Sequence, residues 1–175
     1  MSLEKVRTYF KSEGMNHLIR EFPTSSATVV LAAKALECEE RRIAKTLSFQ
    51  VDKKSILIVT AGDAKVDNGK YKAFFGVKAK MIPPSETKAR IGFDIGGICP
   101  FAVNDGVSIY LDVSLQRFDT VFPACGSSNS AIELTISQLE HHAKPIDWID
   151  VCKGWLDENN DYNLRMEENP YESNI

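Results

Sequence analysis

The residue of this sequence best suited to chemistry is Lys45, which lies in a mainly apolar segment, residues 43–51. The segment has the composition of a β-strand, and strand side chains point alternately to opposite faces. We therefore expect Lys45 to share a face with Ile43, Leu47 and Phe49. An ammonium group is costly to bury without a partner. Either its stem lies along apolar surface with the ammonium in water, or it lines a cavity and meets an anion or a carbonyl oxygen.

A second candidate is the glycine-rich loop Gly96-Gly97-Ile98-Cys99-Pro100. Glycine lets the backbone approach a ligand closely and adopt positive φ, and successive free N–H groups can hold an oxygen atom. The same residues would also suit a tight connection into Phe101, and for glycine and proline alone that explanation is the commoner one. A small polar loop, residues 124–130, contains Gly126 and carries no distinctive signal by itself.

Other reactive residue types have simpler explanations. Cys99 could act as a nucleophile, although a small buried thiol is the more frequent outcome for such a cysteine. Asp63 and Asp67 could form an acid–base pair, but turn and helix-cap positions account for both. The four cysteines form no CxxC pair and the three histidines no metal-binding spacing, so we expect no metal or other cofactor.

Composition limits the classes of function. The chain has 175 residues, of which 43% are hydrophobic and 26% charged, which is typical of one globular domain. A net charge of -3 argues against a broad basic surface for duplex nucleic acid, though not against a local site for one RNA end. No apolar run is long enough to span a bilayer and the N-terminus lacks a signal-peptide core, so we expect a cytoplasmic protein without a membrane partner.

The elements that must position these residues alternate irregularly, which predicts an α+β fold with a mixed sheet and helices packed around it. Thr28 and Asp67 should cap helices, and Thr135 with Gln138 should form a capping box. Predicted helices are 3–14, 28–38, 68–75, 85–91 (capped by Ser85) and 136–143; predicted strands are 43–51, 55–60, 78–82, 107–112, 120–125 and 131–134. Residues 146–155 are apolar enough to pack on the body, whereas residues 156–175 are polar and acidic and predict a flexible tail.

Six segments, in order along residues 3–145, resemble the YbaK/ProX family of trans-editing deacylases and the related insertion domain of bacterial prolyl-tRNA synthetases. Each segment is a weak signal alone, and the order of all six is the specific feature. They are Thr28-Val29 with Ala32-Ala33, residues 42–49 around Lys45, residues 61–67, Gly92 with 96–101, residues 110–115, and Cys125-Gly126 with 132–134.

The resemblance implies an α+β editing domain over residues 1–155, with a mixed, largely antiparallel, barrel-like sheet surrounded by helices. It implies hydrolysis of the ester between a small amino acid, such as cysteine or alanine, and the acceptor end of a mischarged tRNA. An aminoacyl-tRNA synthetase is a second candidate partner. The residues matched as catalytic are Lys45, Gly97, Ile98 and Cys99, and those matched as substrate-binding are Thr28, Gly96, Pro100, Phe101, Asp112 and Gly126.

The sequence departs from the family pattern at two positions, and it leaves two rival hypotheses about function. Ala102 and Cys99 stand where many relatives carry glycine and serine or another small residue, which leaves the identity of the amino acid open. No protein general base is evident, so we expect water to attack with help from a substrate group such as the ribose hydroxyl. The rivals are a non-catalytic module that binds aminoacyl-tRNA or a synthetase, and a thiol enzyme that uses Cys99.

Overall fold

The backbone forms five α-helices and ten β-strands within residues 2–156, the part of the chain that this computed structural model describes. The helices are α1 (Ser2–Ser12), α2 (Val29–Leu36), α3 (Asn68–Phe75), α4 (Thr87–Arg90) and α5 (Ile136–Ala143). The strands are β1 (Arg20–Glu21), β2 (Ile43–Val51), β3 (Lys54–Ala61), β4 (Lys65–Val66), β5 (Ser108–Asp112), β6 (Thr120–Pro123), β7 (Ser130–Ala131), β8 (Leu134–Thr135), β9 (Asp147–Ile149) and β10 (Cys152–Lys153). The predicted α+β class is confirmed. The predicted tail, apart from Leu156, lies outside the described residues.

Six strands build one curled, half-barrel sheet in the order β8–β6–β2–β3–β5–β9, and two small sheets pair β1 with β7 and β10 with β4. Four of these seven strand pairs are antiparallel, and the parallel pairs are β2–β6, β3–β5 and β5–β9. The longest pairing joins β2 to β3 from Ala44 opposite Ala61 to Val51 opposite Lys54. The two strands at the centre of the sheet are therefore β2 and β3.

Strand β3 runs through the main hydrophobic core, because Leu57, Ile58 and Val59 are all fully buried. A consecutive apolar run of this kind is typical of a strand covered on both faces. Helix α1 contributes Val6 and Phe10 to the same core, and both are completely buried. None of the helices in the described range is long and apolar enough to cross a membrane.

Local capping chemistry fixes the starts of three helices as predicted. The side chain of Thr28 accepts a hydrogen bond from the Leu31 N–H at the start of α2, and Asp67 accepts one from Lys70 at the start of α3. Thr135 and Gln138 form the full capping box of α5. These short-range signals fix element boundaries because a cap satisfies N–H groups that the helix itself leaves unpaired.

Several predicted elements are shifted by one or two residues at their ends, and three predictions are wrong in kind. Ser85 caps no helix, because a 3₁₀ turn at Pro84–Glu86 precedes α4 and proline favours the first turn of a helix. Residues 78–82 form a single bridge, at Met81, instead of a strand. The expected strand 131–134 is divided into β7 and β8, because the chain changes partner from β1 to β6 there.

Candidate functional site

The outer edge of β2, opposite β3, is only partly paired. It meets β6 at Ile43 and Ala44, opposite Phe122 and Pro123, and the pairing ends there. Farther along β2, the same edge forms another hydrogen bond, from the Ile82 N–H to the Ser48 carbonyl. Residues 45–47 of β2 lie between these two contacts and border a pocket of about 250 Å³.

Small and apolar residues from three other segments complete the walls of this pocket. Lys45 is the one charged residue among those described around it. The wall residues come from the start of α2, the glycine-rich loop, and the β6–β7 region. They are Ser26, Ala27, Thr28, Val29 and Ala32; Ile95, Gly96 and Ile98; and Phe122, Ala124, Ser130 and Ala131.

Lys45 lines the pocket and is half-buried, and its Nζ donates a hydrogen bond to the carbonyl of Ala64. Burial lowers the pKa of Lys45, while Cys152 and Asp63 act in the opposite direction. The ammonium thus has a backbone acceptor instead of simply reaching water. The expectation of a single apolar face is too simple, because Ala44 on the other face is buried whereas Leu47 is only half-buried. Both faces of β2 are covered.

The glycine-rich loop presents unpaired N–H groups beside the pocket. Gly96 has φ of 89°, and a Cβ there would lie 3.0 Å from the Ala27 Cβ, so a side chain would be both strained and crowded. The Gly97 N–H donates to the Asp94 carbonyl at 3.1 Å. The N–H groups of Ile98 and Cys99 have no hydrogen-bond partner within residues 2–156. Of the three loop residues predicted to be catalytic, Ile98 lines the pocket with an open N–H, Cys99 is fully buried outside the pocket lining, and the Gly97 N–H is already bonded.

The thiol of Cys99 lies in the core. Its side chain is completely buried and donates to the carbonyl of Phe101 at 3.7 Å. Burial raises the pKa of Cys99 to about 12. Because the thiolate is the nucleophilic form, this environment argues against the thiol-enzyme hypothesis.

The remaining predicted site residues lie outside the pocket lining. Asp112 is fully buried, and its two carboxylate oxygens accept hydrogen bonds from the N–H groups of Ser114 and Val151, both at 3.0 Å. Gly126 borders a neighbouring depression together with Gly97 and the start of α1. Two others belong to the interior: Pro100 is buried, and the ring of Phe101 packs on Phe10.

The two aspartates considered as an acid–base pair have structural roles. Asp63 forms a two-pronged ion pair with Arg117, whose guanidinium also lies over the Trp155 ring. Asp67 caps α3, and this backbone hydrogen bond from Lys70 lowers the pKa of its carboxyl group. The cap explanation is thus supported for Asp67, whereas Asp63 lies in a turn but uses its carboxylate to pair with Arg117.

One group of potential metal ligands occurs in the described part of the chain, away from the pocket. Glu13, His141 and His142 place one ligand atom each within 4.8 Å of one another. The His142 Nδ1 is already hydrogen-bonded to the Tyr9 hydroxyl at 2.9 Å. None of these residues lines the pocket.

The sequence arguments missed most of the pocket walls. Ser26, Ala27 and Ala131 line it without having been singled out, and Thr46, Ala124 and Ser130 lie in segments that were singled out for other residues. Alanine and serine fill cores and loops throughout proteins, so their types carry no signal of a cavity. Thr46 had one available signal, which was its position next to Lys45 on the same strand.

Comparison with known proteins gives a consistent result. A model of the aminoacyl-tRNA editing domain matches residues 24–141. The uncharacterized protein YwhH of Bacillus subtilis (strain 168) is 52% identical over 89% of this chain and 99% of its own length. Proline–tRNA ligase of Geobacillus sp. (strain WCH70) is 26% identical over 70% of this chain, which corresponds to 22% of the ligase.

Solved structures share the same architecture. A crystal structure described as that of a candidate trans-editing enzyme for prolyl-tRNA synthetase has a TM-score of 0.78 and 28% identity, and the match covers 87% of this chain and 98% of the other. A hypothetical protein of 23% identity has a TM-score of 0.76 over 85% of this chain and 99% of its own, and this likeness concerns the fold alone.

Proposed function

Because this chain belongs to the aminoacyl-tRNA editing domain family, we propose that it hydrolyses the ester bond of mischarged aminoacyl-tRNA. The substrate would enter by its acceptor end, and the products would be a free amino acid and a tRNA with its terminal hydroxyl restored. The observation that carries the proposal is that Lys45 and Ile98, one with an ammonium and the other with an unpaired N–H, line the same pocket. Residues 1–155 would carry this activity.

The reaction needs an oxyanion site, and the pocket offers candidate donors for one. Water attacks the ester carbonyl, whose oxygen becomes negatively charged while the new C–O bond forms. Within residues 2–156 the N–H groups of Ile98 and Cys99 have no partner, and Ile98 lines the pocket. Lys45 gives one of its three N–H donors to Ala64 and retains two. Each donor directed at a developing oxyanion typically raises the rate by a factor of ~10²–10³.

Proton transfer would depend on the substrate. The described residues around the pocket include no histidine and no carboxylate. The neighbouring ribose hydroxyl of the terminal nucleotide can pass the proton of the attacking water to the departing ribose oxygen. The C–O bond to the ribose then breaks and the amino acid leaves as a carboxylic acid, which ionises in water.

The walls favour a small, uncharged amino acid. Alanines 27, 32, 44, 124 and 131 line a pocket of about 250 Å³, and its lining within the described residues has no carboxylate to neutralise a basic side chain. Alanine and cysteine suit these walls, and both are candidate substrates. The similarity to part of proline–tRNA ligase makes tRNA for proline the first carrier to test, and the synthetase that charges it a candidate partner.

A second candidate is a module that binds an aminoacyl-tRNA end, or a synthetase, without cleaving the ester. The observation that favours it is the same lack of a histidine or carboxylate in the described pocket lining. Single-turnover kinetics separate the two candidates, because a binding module protects the ester whereas a deacylase removes it.

The decisive experiment is a single-turnover deacylation assay on a panel of tRNAs charged with alanine, cysteine, serine or proline. We expect wild type to cleave at least one small amino acid and Lys45→Ala to lose most of that rate. Full activity in Lys45→Ala would remove this lysine from the mechanism. A wild type that binds the panel without cleaving any ester would favour the binding module.

A further inference from the structure

Thr46 lies at the centre of the unpaired stretch of β2. Along a strand, the N–H and C=O of one residue point to the same edge, and successive residues point to opposite edges. The Ser48 carbonyl accepts from Ile82 and the Gln50 N–H donates to the Lys80 carbonyl, so these even-numbered residues point to the outer edge. The N–H and C=O of Thr46 therefore point to the outer edge as well.

No group within the described residues 2–156 pairs on that edge with the peptide groups of Thr46. The contact with β6 ends at Ala44, and the next contact begins at Ser48. The side-chain hydroxyl of Thr46 is also buried, and it has no hydrogen-bond partner within the described chain. Unmade hydrogen bonds of buried groups are costly. Because Thr46 lines the pocket, a bound molecule is the natural source of the missing partners.

The other hydroxyls of the pocket are already engaged. Ser26 donates to the Ser128 carbonyl, Ser130 shares a hydrogen bond with Ser127 at 2.6 Å, and Thr28 accepts from the Leu31 N–H at 3.2 Å. The pocket therefore has a free neutral acceptor at Thr46 and a cation at the adjacent Lys45. An aminoacyl ester carries the complementary pair, since its α-carbon bears a donor ammonium on one bond and the acceptor ester carbonyl on another.

We propose that Thr46 is the residue that binds the α-amino group of the substrate, through its main-chain carbonyl and its side-chain hydroxyl oxygen. This inference rests on the proposed function and adds which end of the aminoacyl group each pocket residue contacts. Lys45 contacts the ester carbonyl side, and Thr46 contacts the ammonium side. The arrangement keeps the two cations, Lys45 and the substrate ammonium, on different acceptors.

The test compares two esters that differ only in the α-amino group, alanyl-tRNA and propionyl-tRNA. Each enzymatic rate is divided by the uncatalysed hydrolysis rate of the same ester, because the ammonium also activates the ester chemically. Thr46→Val removes the hydroxyl and preserves the side-chain shape. We expect it to lower kcat/KM for alanyl-tRNA by about tenfold, as for a hydrogen bond to a charged group, and to leave propionyl-tRNA unaffected.

Ser48→Ala is the matched control. Ser48 belongs to the same strand, and its hydroxyl is also buried without a partner in the described chain, but it does not line the pocket. We expect its activity to equal wild type on both esters. Thr46→Ser, which keeps the hydroxyl, should retain the preference for alanyl-tRNA, and thermal unfolding checks that each variant folds.

Equal losses on both esters, or no loss on either, in a folded Thr46→Val would overturn the assignment. A nonhydrolysable alanyl-adenosine, joined by an amide, gives the same comparison without turnover against its propionyl counterpart. We expect Thr46→Val to weaken only the alanyl form. If wild type cleaves neither ester yet discriminates the two amides through Thr46, the proposed hydrolysis fails while this inference stands.

Discussion

Asp112 and Lys45 each bring a formal charge into the protein, and their surroundings differ in a simple way. Asp112 is completely buried, and both of its oxygens accept backbone N–H groups, from Ser114 and Val151. Lys45 is half-buried, has one carbonyl acceptor in Ala64, and lines a cavity. A fully paired buried charge holds two segments together, whereas a partly paired one beside a cavity keeps donors for a ligand.

Backbone groups also differ between the interior, where they are paired, and the pocket, where some are open. The strands β3 and β5 pair along four consecutive residue positions, and β3 is also paired with β2 along its whole length. On the outer edge of β2 and in the glycine-rich loop, by contrast, the peptide groups of Thr46 and Ile98 have no partner within residues 2–156. The peptide groups of Thr46 and Ile98 are thus open beside the pocket, whereas β3 is paired on both of its edges. This difference predicts that substitutions on the two sides will affect different measurements.

Lys45→Met should produce the largest effect, on activity. Methionine keeps much of the stem and removes the ammonium, so we expect kcat/KM for the best substrate to fall by ~10²–10³. The free energy of unfolding should change by less than about 1 kcal/mol, because the lost hydrogen bond to Ala64 is offset by relief of a desolvated charge. Lys65→Met, at a neighbouring exposed lysine, serves as the control. Equal deacylation by wild type and Lys45→Met would contradict the assignment.

Asp112→Ala should produce the largest effect on stability. It leaves the N–H groups of Ser114 and Val151 without acceptors, so we expect the free energy of unfolding to fall by about 3 kcal/mol. Urea unfolding measures the change, and Asp105→Ala, at an exposed aspartate, should be nearly neutral. The activity of the folded fraction should persist. If Asp112→Ala were as stable as the control but inactive, Asp112 would act on the substrate and would not serve to hold the fold together.

Cys99→Ser tests a residue that belongs both to the glycine-rich loop and to the interior. Its N–H lies in the loop and its thiol lies in the core. A hydroxyl is less tolerated than a thiol in an apolar environment, so the free energy of unfolding should fall by about 1–2 kcal/mol. The deacylation rate should stay close to wild type because the main-chain N–H is retained. Cys38→Ser, at a partly exposed cysteine, is the control. A loss of activity as large as that of Lys45→Met would restore the thiol mechanism.

The pH dependence of stability should show the smallest effect, at His142. Burial lowers the pKa of His142, with His141 and Lys144 acting in the same direction and Glu13 opposing. The unfolded chain therefore takes up this proton first as pH falls below the ordinary value of 6.5, and stability decreases from there down through the folded pKa. His142→Gln should flatten urea-measured stability across this range, while exposed His17 replaced by Gln should not. If the pH dependence of stability were unchanged in His142→Gln, other titrating groups would be its source.

Local sequence signals predicted much of the fold. The segments β2, α3 and α5 begin and end as expected, since strand composition and helix caps act over a few residues. The errors occur where a distant partner decides the structure. The separation of β7 from β8 depends on β1, which the sequence did not reveal, and the bridge at Met81 depends on the edge of β2.

The sequence by itself determined the class of the fold, the capped helices, the strand that carries Lys45 and the loop beside it. The tertiary structure alone decided which polar groups are left without partners. Gly97 and Ile98 are adjacent and of common residue types, yet within the described chain the Gly97 N–H is bonded and the Ile98 N–H is not. Thr46 becomes distinctive only because β6 diverges from β2 after Ala44. Residue types define what a group can bind, whereas an open position depends on pairing between segments far apart in the chain.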